Sequence, residues 1–339
     1  MIFRTTRYKT FELLGEYLTD PANALLLEDW AFRANLTNNW FTPENVLNSL
    51  QSIGERYLTA EALKEWADRY PEPATSRKVG VIMAGNIPAA GFHDAMAVLL
   101  SGHTLLAKLS TDDSVLIKFL LDKICLIEPA FHDYIQISER LNDAEAYIAT
   151  GSDNTARYFE YYLGRKPSII RKNRVAVAVL TGEESREELT ALGEDILRYY
   201  GLGCRNVAKL FVPTGYDFTP FFEAVQPFES YCRNHHKFFN NYEYNKSILL
   251  VNGEAHLDNG FLIVHQNKAL VSPLSVVNFE PCENLDEVRQ HLEEDKEKIQ
   301  CVVGMATNPL ATVPLGKAQR PGLSDFADGV DTMAFLSKL

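Results

Sequence analysis

The fold of this chain is decided by residues 79–88, which read VGVIMAGNIP. The first six are apolar or glycine, as is typical of a strand in a parallel sheet that is covered on both faces. The turn that follows leads into a helical stretch, and the same alternation continues along the chain. Further strands are predicted at residues 104–107, 134–137, 146–149 and 175–180. Strands separated by helices predict an α/β fold with a parallel sheet and helices on both faces.

The chain on either side of this region reads differently. Residues up to about 70 read as helices, with starts at Asp20-Pro21 and Thr42-Pro43, because Pro favours the first helical position. Beyond residue 180 a second α/β layer is predicted, beginning with a helix from about residue 185 to 200. Its later elements are expected to be strands at 207–212, 261–264, 274–279 and 301–303 and a helix at 285–297.

Composition and charge exclude several classes of protein. The chain has 339 residues, a net charge of −12 and a pI near 5.2, which argues against nucleic acid or an anionic membrane surface as the main partner. The amino terminus lacks the apolar stretch of a signal peptide, and no segment approaches the roughly 20 apolar residues of a membrane span. We therefore expect a cytoplasmic protein with no nucleic-acid partner and no membrane span.

The cysteines and histidines show no metal-binding pattern. The five cysteines are odd in number, far apart and never in a CxxC pair, which disfavours a disulfide framework or a zinc knuckle. The adjacent His235 and His236 and the isolated histidines lack metal-ligand spacing. No metal is therefore expected, and four of the cysteines read as buried apolar thiols.

Cys204 is the exception among the cysteines. It lies in the loop GLGCRN at residues 201–206, between glycines and polar residues. Gly201 and Gly203 leave the backbone free to approach a substrate. A thiol presented in this way is a candidate nucleophile where positive charge or helix dipoles lower its pKa. The alternative is a cysteine buried within the loop.

Three further positions have both a functional and a structural interpretation. Asn86 is either a turn residue or an amide donor to the oxyanion of an acyl-transfer reaction. Gly151 and Ser152 lie where a strand meets a helix, and they indicate either a pyrophosphate contact or an ordinary helix cap. Lys108, at the end of a strand, is either a ribose contact or a solvated lysine. The GxGxxG motif, a common fingerprint of dinucleotide binding, does not follow the first strand.

Taken in order, these segments resemble the aldehyde dehydrogenase superfamily, and within it the LuxC-like acyl-CoA reductases. The 118 positions from Asn86 to Cys204 (204 − 86) contribute to the resemblance. The matching segments are AGNIP at 84–88, LAKL at 106–109, ATGS at 149–152, GLGCRN at 201–206, GKAQRP at 316–321 and DGVDT at 328–332.

The resemblance implies an aldehyde dehydrogenase-like fold of two doubly wound α/β domains with an active-site cleft between them. The regions it implies are a helical region at 1–77 that packs on a cofactor domain at 78–175, a catalytic domain at 176–310, and a segment at 311–339 that returns to the cofactor domain or to a neighbouring subunit.

The resemblance also implies roles for individual residues. Cys204 is the nucleophile, and the Asn86 side chain together with the Cys204 amide forms the oxyanion hole. A nicotinamide cofactor is bound by Lys108 at the adenosine ribose and by Ser152 at the pyrophosphate, with Ser110, Thr111 and Gly151 beside them.

Three departures from the superfamily pattern refine these expectations. The segment IIRKNR at 169–174 stands where hydrolytic enzymes carry a water-activating glutamate, so hydrolysis of a thioester should be slow. No glutamate follows Lys108, which permits NADPH, although Asp112 and Asp113 leave NADH open. The Glu-x-Phe-Gly-Pro segment is missing, and LVSP at 270–273 stands near its place.

These observations predict an acyl-CoA reductase that passes the acyl group of an acyl-CoA or acyl-protein thioester through Cys204 and reduces it to an aldehyde. The alternatives are an aldehyde dehydrogenase that oxidises free aldehydes, a cofactor-independent acyltransferase and a scaffold subunit that retains the fold. A homodimer and a partner synthetase that delivers the acyl group both remain open.

Overall fold

In a computed structural model that describes residues 2–339, the chain forms two compact units. One comprises the described chain up to Asn173 together with Pro321–Leu339, and the other is Arg174–Arg320. None of the helices in the described residues is both long enough and apolar enough to span a membrane.

The amino-terminal part of the first unit is helical, as predicted. Its helices are α1 (Arg4–Thr19), α2 (Ala24–Thr37), α3 (Pro43–Arg56) and α4 (Ala60–Asp68). Thr42 caps α3 by accepting from the Asn45 N–H, whereas Asp20 begins a short 3₁₀ turn that precedes α2. The buried rings of Phe11 and Phe92 lie 6.4 Å apart, so the apolar face of α1 shares a core with the sheet-covering helices of this unit.

A five-stranded parallel sheet forms the centre of the first unit. Its strands are β1 (Lys78–Ile82), β2 (Thr104–Lys108), β3 (Ile135–Ile137), β4 (Ala146–Thr150) and β5 (Ser168–Arg171), in the order β3-β2-β1-β4-β5. Helices α5 (Phe92–Ser101), α6 (Ser114–Ile127) and α7 (Asp153–Leu163) connect them. The strand order reverses direction at β1, and in such sheets ligands bind at the carboxyl ends of the strands beside this point.

Arg171, at the end of β5, holds three elements of the first unit together. Its guanidinium donates to Asp94 Oδ2 on α5 (2.5 Å) and to Thr332 Oγ1 (2.7 Å) at the start of α13 (Thr332–Leu336). The arginine is only 3% exposed. The hydrogen bond to Thr332 thus fixes the returning carboxyl-terminal segment to the sheet of the first unit.

The second unit contains a seven-stranded sheet. Its strands are β6 (Val175–Val179), β7 (Val207–Pro213), β8 (His256–Asp258), β9 (Ile263–Gln266), β10 (Val276–Cys282), β11 (Ile299–Gly304) and β12 (Val313–Pro314). They lie in the order β12-β11-β6-β7-β10-β9-β8, with β8 antiparallel to β9 and the other pairs parallel. Its helices are α8 (Arg186–Leu197), α9 (Thr219–Val225), α10 (Glu229–Arg233), α11 (His236–Asn252) and α12 (Leu285–Glu294).

Residues 321–339 belong to the first unit, whereas residues 311–320 belong to the second. Residues 311–320 stay with the second unit because β12 pairs with β11. The buried carboxylate of Asp195 on α8 also accepts from the N–H groups of Gly316 (2.6 Å) and Ala318 (2.9 Å). These bonds tie the loop after β12 to α8.

Asp195 should lower stability as the pH rises from about 4 to 7. Burial raises the pKa of this carboxyl from 3.8 to about 7, against the opposing effect of the Gly316 and Ala318 N–H groups. The folded chain therefore keeps a proton that the unfolded chain releases, and the free energy of unfolding falls by at most about 1.4 kcal/mol per pH unit in this window.

Urea unfolding at a series of pH values checks this expectation. The stability of the wild type relative to Asp195→Asn should decline between pH 4 and pH 7, and Asp143→Asn, at an exposed carboxylate, is the control. A difference that does not vary with pH would contradict it.

Candidate functional site

The candidate residues of the first unit lie at the carboxyl edge of its sheet. Lys108 is the last residue of β2 and pairs with Ile82, the last residue of β1. Ser152 follows β4, the other neighbour of β1, and precedes α7. The predicted ribose and pyrophosphate contacts therefore stand on either side of β1, where the strand order reverses.

The loops after β1 and β2 touch at Gly85. A Cβ atom at this position would overlap Oγ and Cβ of Ser110, so a side chain there would push the two loops apart. Ser110 Oγ accepts from the Asp112 N–H (3.2 Å). Lys108 is half-buried, whereas Thr111 is exposed. Lys108, Ser110 and Thr111 thus occupy one short stretch beside the Asn86 turn.

Asp113 holds the turn that carries Asn86. Its Oδ2 accepts from the Ala89 N–H at 2.7 Å, and Ala89 has a left-handed φ of 58°. Asp113 occupies the N-cap position of α6, but its side chain does not cap this helix. Burial raises the pKa of Asp113 well above its ordinary value, even though the Ala89 and Ala90 N–H groups lower it.

The exposed Asn86 is also supported from α3, where Ser49 Oγ donates to the Pro88 carbonyl (2.7 Å). Asn86 therefore stands on a turn that is fixed from two sides. This rigidity is what an amide needs in order to stabilise a developing oxyanion.

Gly151 and Ser152 have structural roles in this fold. The Gly151 N–H donates to the Arg171 carbonyl (3.2 Å), and a Cβ on Gly151 would lie 3.0 to 3.1 Å from atoms of Phe159 and Thr155. Ser152 Oγ accepts from the Thr155 N–H (3.3 Å) and so caps α7. Ser152 is therefore the N-cap of α7, in agreement with the structural interpretation. Its exposed hydroxyl lies at the start of this helix.

The loop that carries Cys204 begins with strained backbone. Helix α8 ends at Leu197, earlier than expected, because Tyr199, Tyr200 and Gly201 have φ angles of 54°, 58° and 76°. Such angles are costly for side chains other than glycine and persist only when the surroundings enforce them. The Tyr200 ring stacks on Tyr231 (4.5 Å) and on His235 (4.0 Å), and this stacking enforces the turn.

Asn206 fixes the other side of the Cys204 loop. Its Oδ1 accepts from the Gly203 N–H (2.8 Å), and its Nδ2 donates to the carbonyls of Asp195 (3.1 Å), Ile196 (3.1 Å) and Arg198 (2.8 Å). The side chain is only 3% exposed. One buried amide thus joins the end of α8 to Gly203, the residue before Cys204. The sequence gives no signal of this role beyond a polar residue before an apolar strand.

The cysteines differ in burial as the sequence predicts. Cys204 is half-buried, whereas the other four are buried. Burial raises the pKa of Cys125 and Cys232 above the ordinary 9.0, and that of Cys282 to about 11. Because the thiolate is the nucleophile, these three are poor candidates. Cys204 is the cysteine that the fold leaves accessible.

Comparison with known proteins identifies relatives. Residues 17–226, more than half of the chain, match the family described as Acyl-CoA reductase (LuxC). A comparison with curated proteins gave no match. The predicted resemblance to this family is thereby confirmed.

Solved structures share the fold at low sequence identity. An NADP dependent enzyme of E. coli has a TM-score of 0.67 and 13% identity, covering 92% of this chain and 76% of that one. An indole-3-acetaldehyde dehydrogenase complexed with NAD+ has a TM-score of 0.66 and 12% identity, with coverages of 91% and 73%. A mutant propionaldehyde dehydrogenase from a Clostridium phytofermentans microcompartment has a TM-score of 0.61 and 9% identity, with coverages of 91% and 79%. The predicted aldehyde dehydrogenase-like fold is confirmed.

Replacing Asn206 should destabilise the second unit. Asn206→Ala leaves the Gly203 N–H and three carbonyls without their partner, and one unsatisfied buried polar group alone costs about 1–3 kcal/mol. Urea unfolding should show a loss at least this large. Asn252→Ala, at an exposed asparagine of the same unit, should stay within about 0.5 kcal/mol of the wild type; equal losses in both variants would contradict the proposed network.

Replacing Asp113 should loosen the Asn86 turn. Asp113→Ala removes the acceptor of the Ala89 and Ala90 N–H groups, so hydrogen exchange at these amides should accelerate. The neighbouring Asp112→Ala, which removes an exposed carboxylate, is the control. Unchanged exchange in Asp113→Ala would show that the turn holds its shape without this bond.

Proposed function

Because the chain belongs to the LuxC family of acyl-CoA reductases, we propose that it transfers an acyl group from acyl-CoA to Cys204 and reduces the resulting thioester to an aldehyde. The observation that carries this proposal is the half-buried thiol of Cys204 on a loop fixed by Asn206. A nucleophile needs this combination of access and fixed position.

In the first half-reaction the Cys204 sulfur, as thiolate, attacks the thioester carbonyl carbon. The carbonyl π electrons move to oxygen, and the oxyanion accepts hydrogen bonds from the Asn86 side-chain amide and the Cys204 N–H. As the carbonyl re-forms, the bond to the CoA sulfur breaks, and CoA leaves as a thiolate that takes up a proton. Asn86 suits this role because its turn is held by Asp113 and Ser49.

Hydrolysis of the acyl-enzyme is disfavoured because residues 169–174 include no carboxylate. Arg171 in this segment donates to Asp94 and Thr332 through buried hydrogen bonds. A water molecule therefore lacks a general base from this segment. The acyl group then awaits either a thiol or a hydride donor.

The residues of the first unit fit a nicotinamide cofactor, and we favour NADPH. When bound, it supplies the hydride that reduces the acyl-enzyme. Lys108, Ser110 and Thr111 would hold the adenosine ribose, and Ser152 would hold the pyrophosphate at the start of α7. Asp113 is turned toward Ala89 and is only 2% exposed, so it does not compete for a ribose hydroxyl. Asp112 is the remaining carboxylate that could favour NADH.

A panel of acyl-CoAs with NADPH or NADH tests the proposal through nicotinamide absorbance and aldehyde formation. Cys204→Ala should abolish both signals. Asn86→Ala should fold normally but lose about 10²–10³ in kcat, the usual effect of removing an oxyanion donor. Asn142→Ala, at an exposed asparagine of the same unit, should retain full activity. If the wild type forms a covalent acyl adduct but oxidises neither cofactor, the chain is an acyltransferase and the reductase proposal is wrong.

A further inference from the structure

A second group of reactive side chains lies in the second unit, away from Cys204. Cys282 ends β10, and Glu287 and His291 stand one turn apart on α12. A sulfur, a carboxylate oxygen and a ring nitrogen from these three residues all lie within 4.8 Å of one another. We propose that Cys282, Glu287 and His291 bind a divalent transition metal ion of the zinc type.

The donor chemistry favours this class of ion. Thiolate, imidazole and carboxylate are the ligands of zinc, with metal–ligand distances of about 2.0–2.3 Å. Two ligands of one tetrahedral ion therefore lie about 3.5 Å apart. Side-chain rotations that move the donor atoms by about 1 Å would bring the three donors to that spacing. The sequence separations, five and four residues, match none of the usual zinc patterns, which is why sequence inspection alone predicts no metal.

The surrounding contacts hold the donors in place. Asn284 Oδ1 accepts from the Glu287 N–H (3.0 Å) and so caps α12, while Glu287 Oε2 accepts from the Glu283 N–H (2.8 Å). The His291 ring stacks on Phe211 (5.8 Å between centroids, 20° between planes). A surface depression lined by Pro281 and Glu287 borders the cluster on the Glu287 side.

The charges around the cluster are compatible with a bound cation. The carboxylate of Glu280 on β10 is neutralised by Lys209 of β7, whose Nζ lies 2.5 Å from Oε2. Its other oxygen is 3.7 Å from Nε2 of His291, which is beyond hydrogen-bond distance. Burial and then the carboxylates of Glu287 and Glu280 keep the pKa of Cys282 at about 11. A bound cation reverses this effect by replacing the thiol proton.

The site cannot take part in chemistry at Cys204. Cys282 pairs with Pro213 at the end of β7, whereas the Cys204 loop precedes Val207 at its start. Six strand residues of about 3.3 Å each separate the two ends by about 20 Å. The ion would instead join β10 to α12, and its role is to stabilise the second unit. The proposal therefore stands whether or not the chain reduces acyl-CoA.

Titration of chelator-treated protein with Co²⁺ and with Zn²⁺ tests the site. Co²⁺ should bind with a stoichiometry of one and give the near-ultraviolet absorption of a thiolate–cobalt bond. Cys282→Ser should lose this absorption, and Cys204→Ser, which removes the accessible thiol, should keep it. No absorption in the wild type, or its loss in Cys204→Ser but not in Cys282→Ser, would overturn the proposal.

Two variants on α12 keep the test valid if Cys282→Ser fails to fold. His291→Gln and Glu287→Gln should weaken Zn²⁺ binding more than about tenfold and lose the Zn²⁺-dependent rise in Tm. His256→Gln, at another partly exposed histidine of the same unit, should bind and respond like the wild type. Equal Zn²⁺ affinity and an equal rise in Tm in His291→Gln and His256→Gln would refute the assignment.

Discussion

The position of the Cys204 thiol depends on the buried amide of Asn206. This side chain donates to three carbonyls at the end of α8 and accepts from the Gly203 N–H. Without it, those carbonyls and that N–H would lose their partner next to a strained stretch of backbone. The left-handed angles at Tyr199 and Tyr200 are tolerable because the amide on one side and the stacked rings on the other enforce them.

A buried polar side chain plays a comparable part in the first unit. Asp113 binds the turn after β1 rather than capping its own helix. Burial raises the pKa of this carboxyl, while the Ala89 and Ala90 N–H groups that bond to it lower the pKa and satisfy the buried oxygen atoms. Gly85 permits the approach of the neighbouring loop at Ser110. Each unit thus fixes one catalytic candidate by burying a polar group beside it.

Arg171 has a structural role in the segment that departs from the superfamily pattern. The segment that lacks a water-activating carboxylate supplies a strand and a buried guanidinium in its place. This group binds Asp94 and Thr332 and so secures the carboxyl-terminal return. A buried ion pair of this kind is costly to break. The same segment thus contains no carboxylate and helps to hold the first unit together.

The sequence by itself determined the alternation of strands and helices, the helical amino-terminal region, the membership of the acyl-CoA reductase family and the contrast between Cys204 and the other cysteines. These follow from local apolar patterns and short motifs, which report burial and turns directly. The sequence missed β5, the helices α9–α11 and the early end of α8, because their residues lack a clear period or depend on rings distant in the chain.

Only the tertiary structure decided the partners of Asn206, Asp113, Asp195 and Arg171. The bonds of Asp113, Arg171 and the Asp195 carboxylate reach residues 24, 77, 161, 121 and 123 positions away. The tertiary structure also brings Cys282, at the end of β10, close to His291 on α12. A single polar residue can bond to many groups, and the choice among them depends on which segments packing brings into contact. That choice is a property of the folded chain and leaves no periodic trace in the sequence.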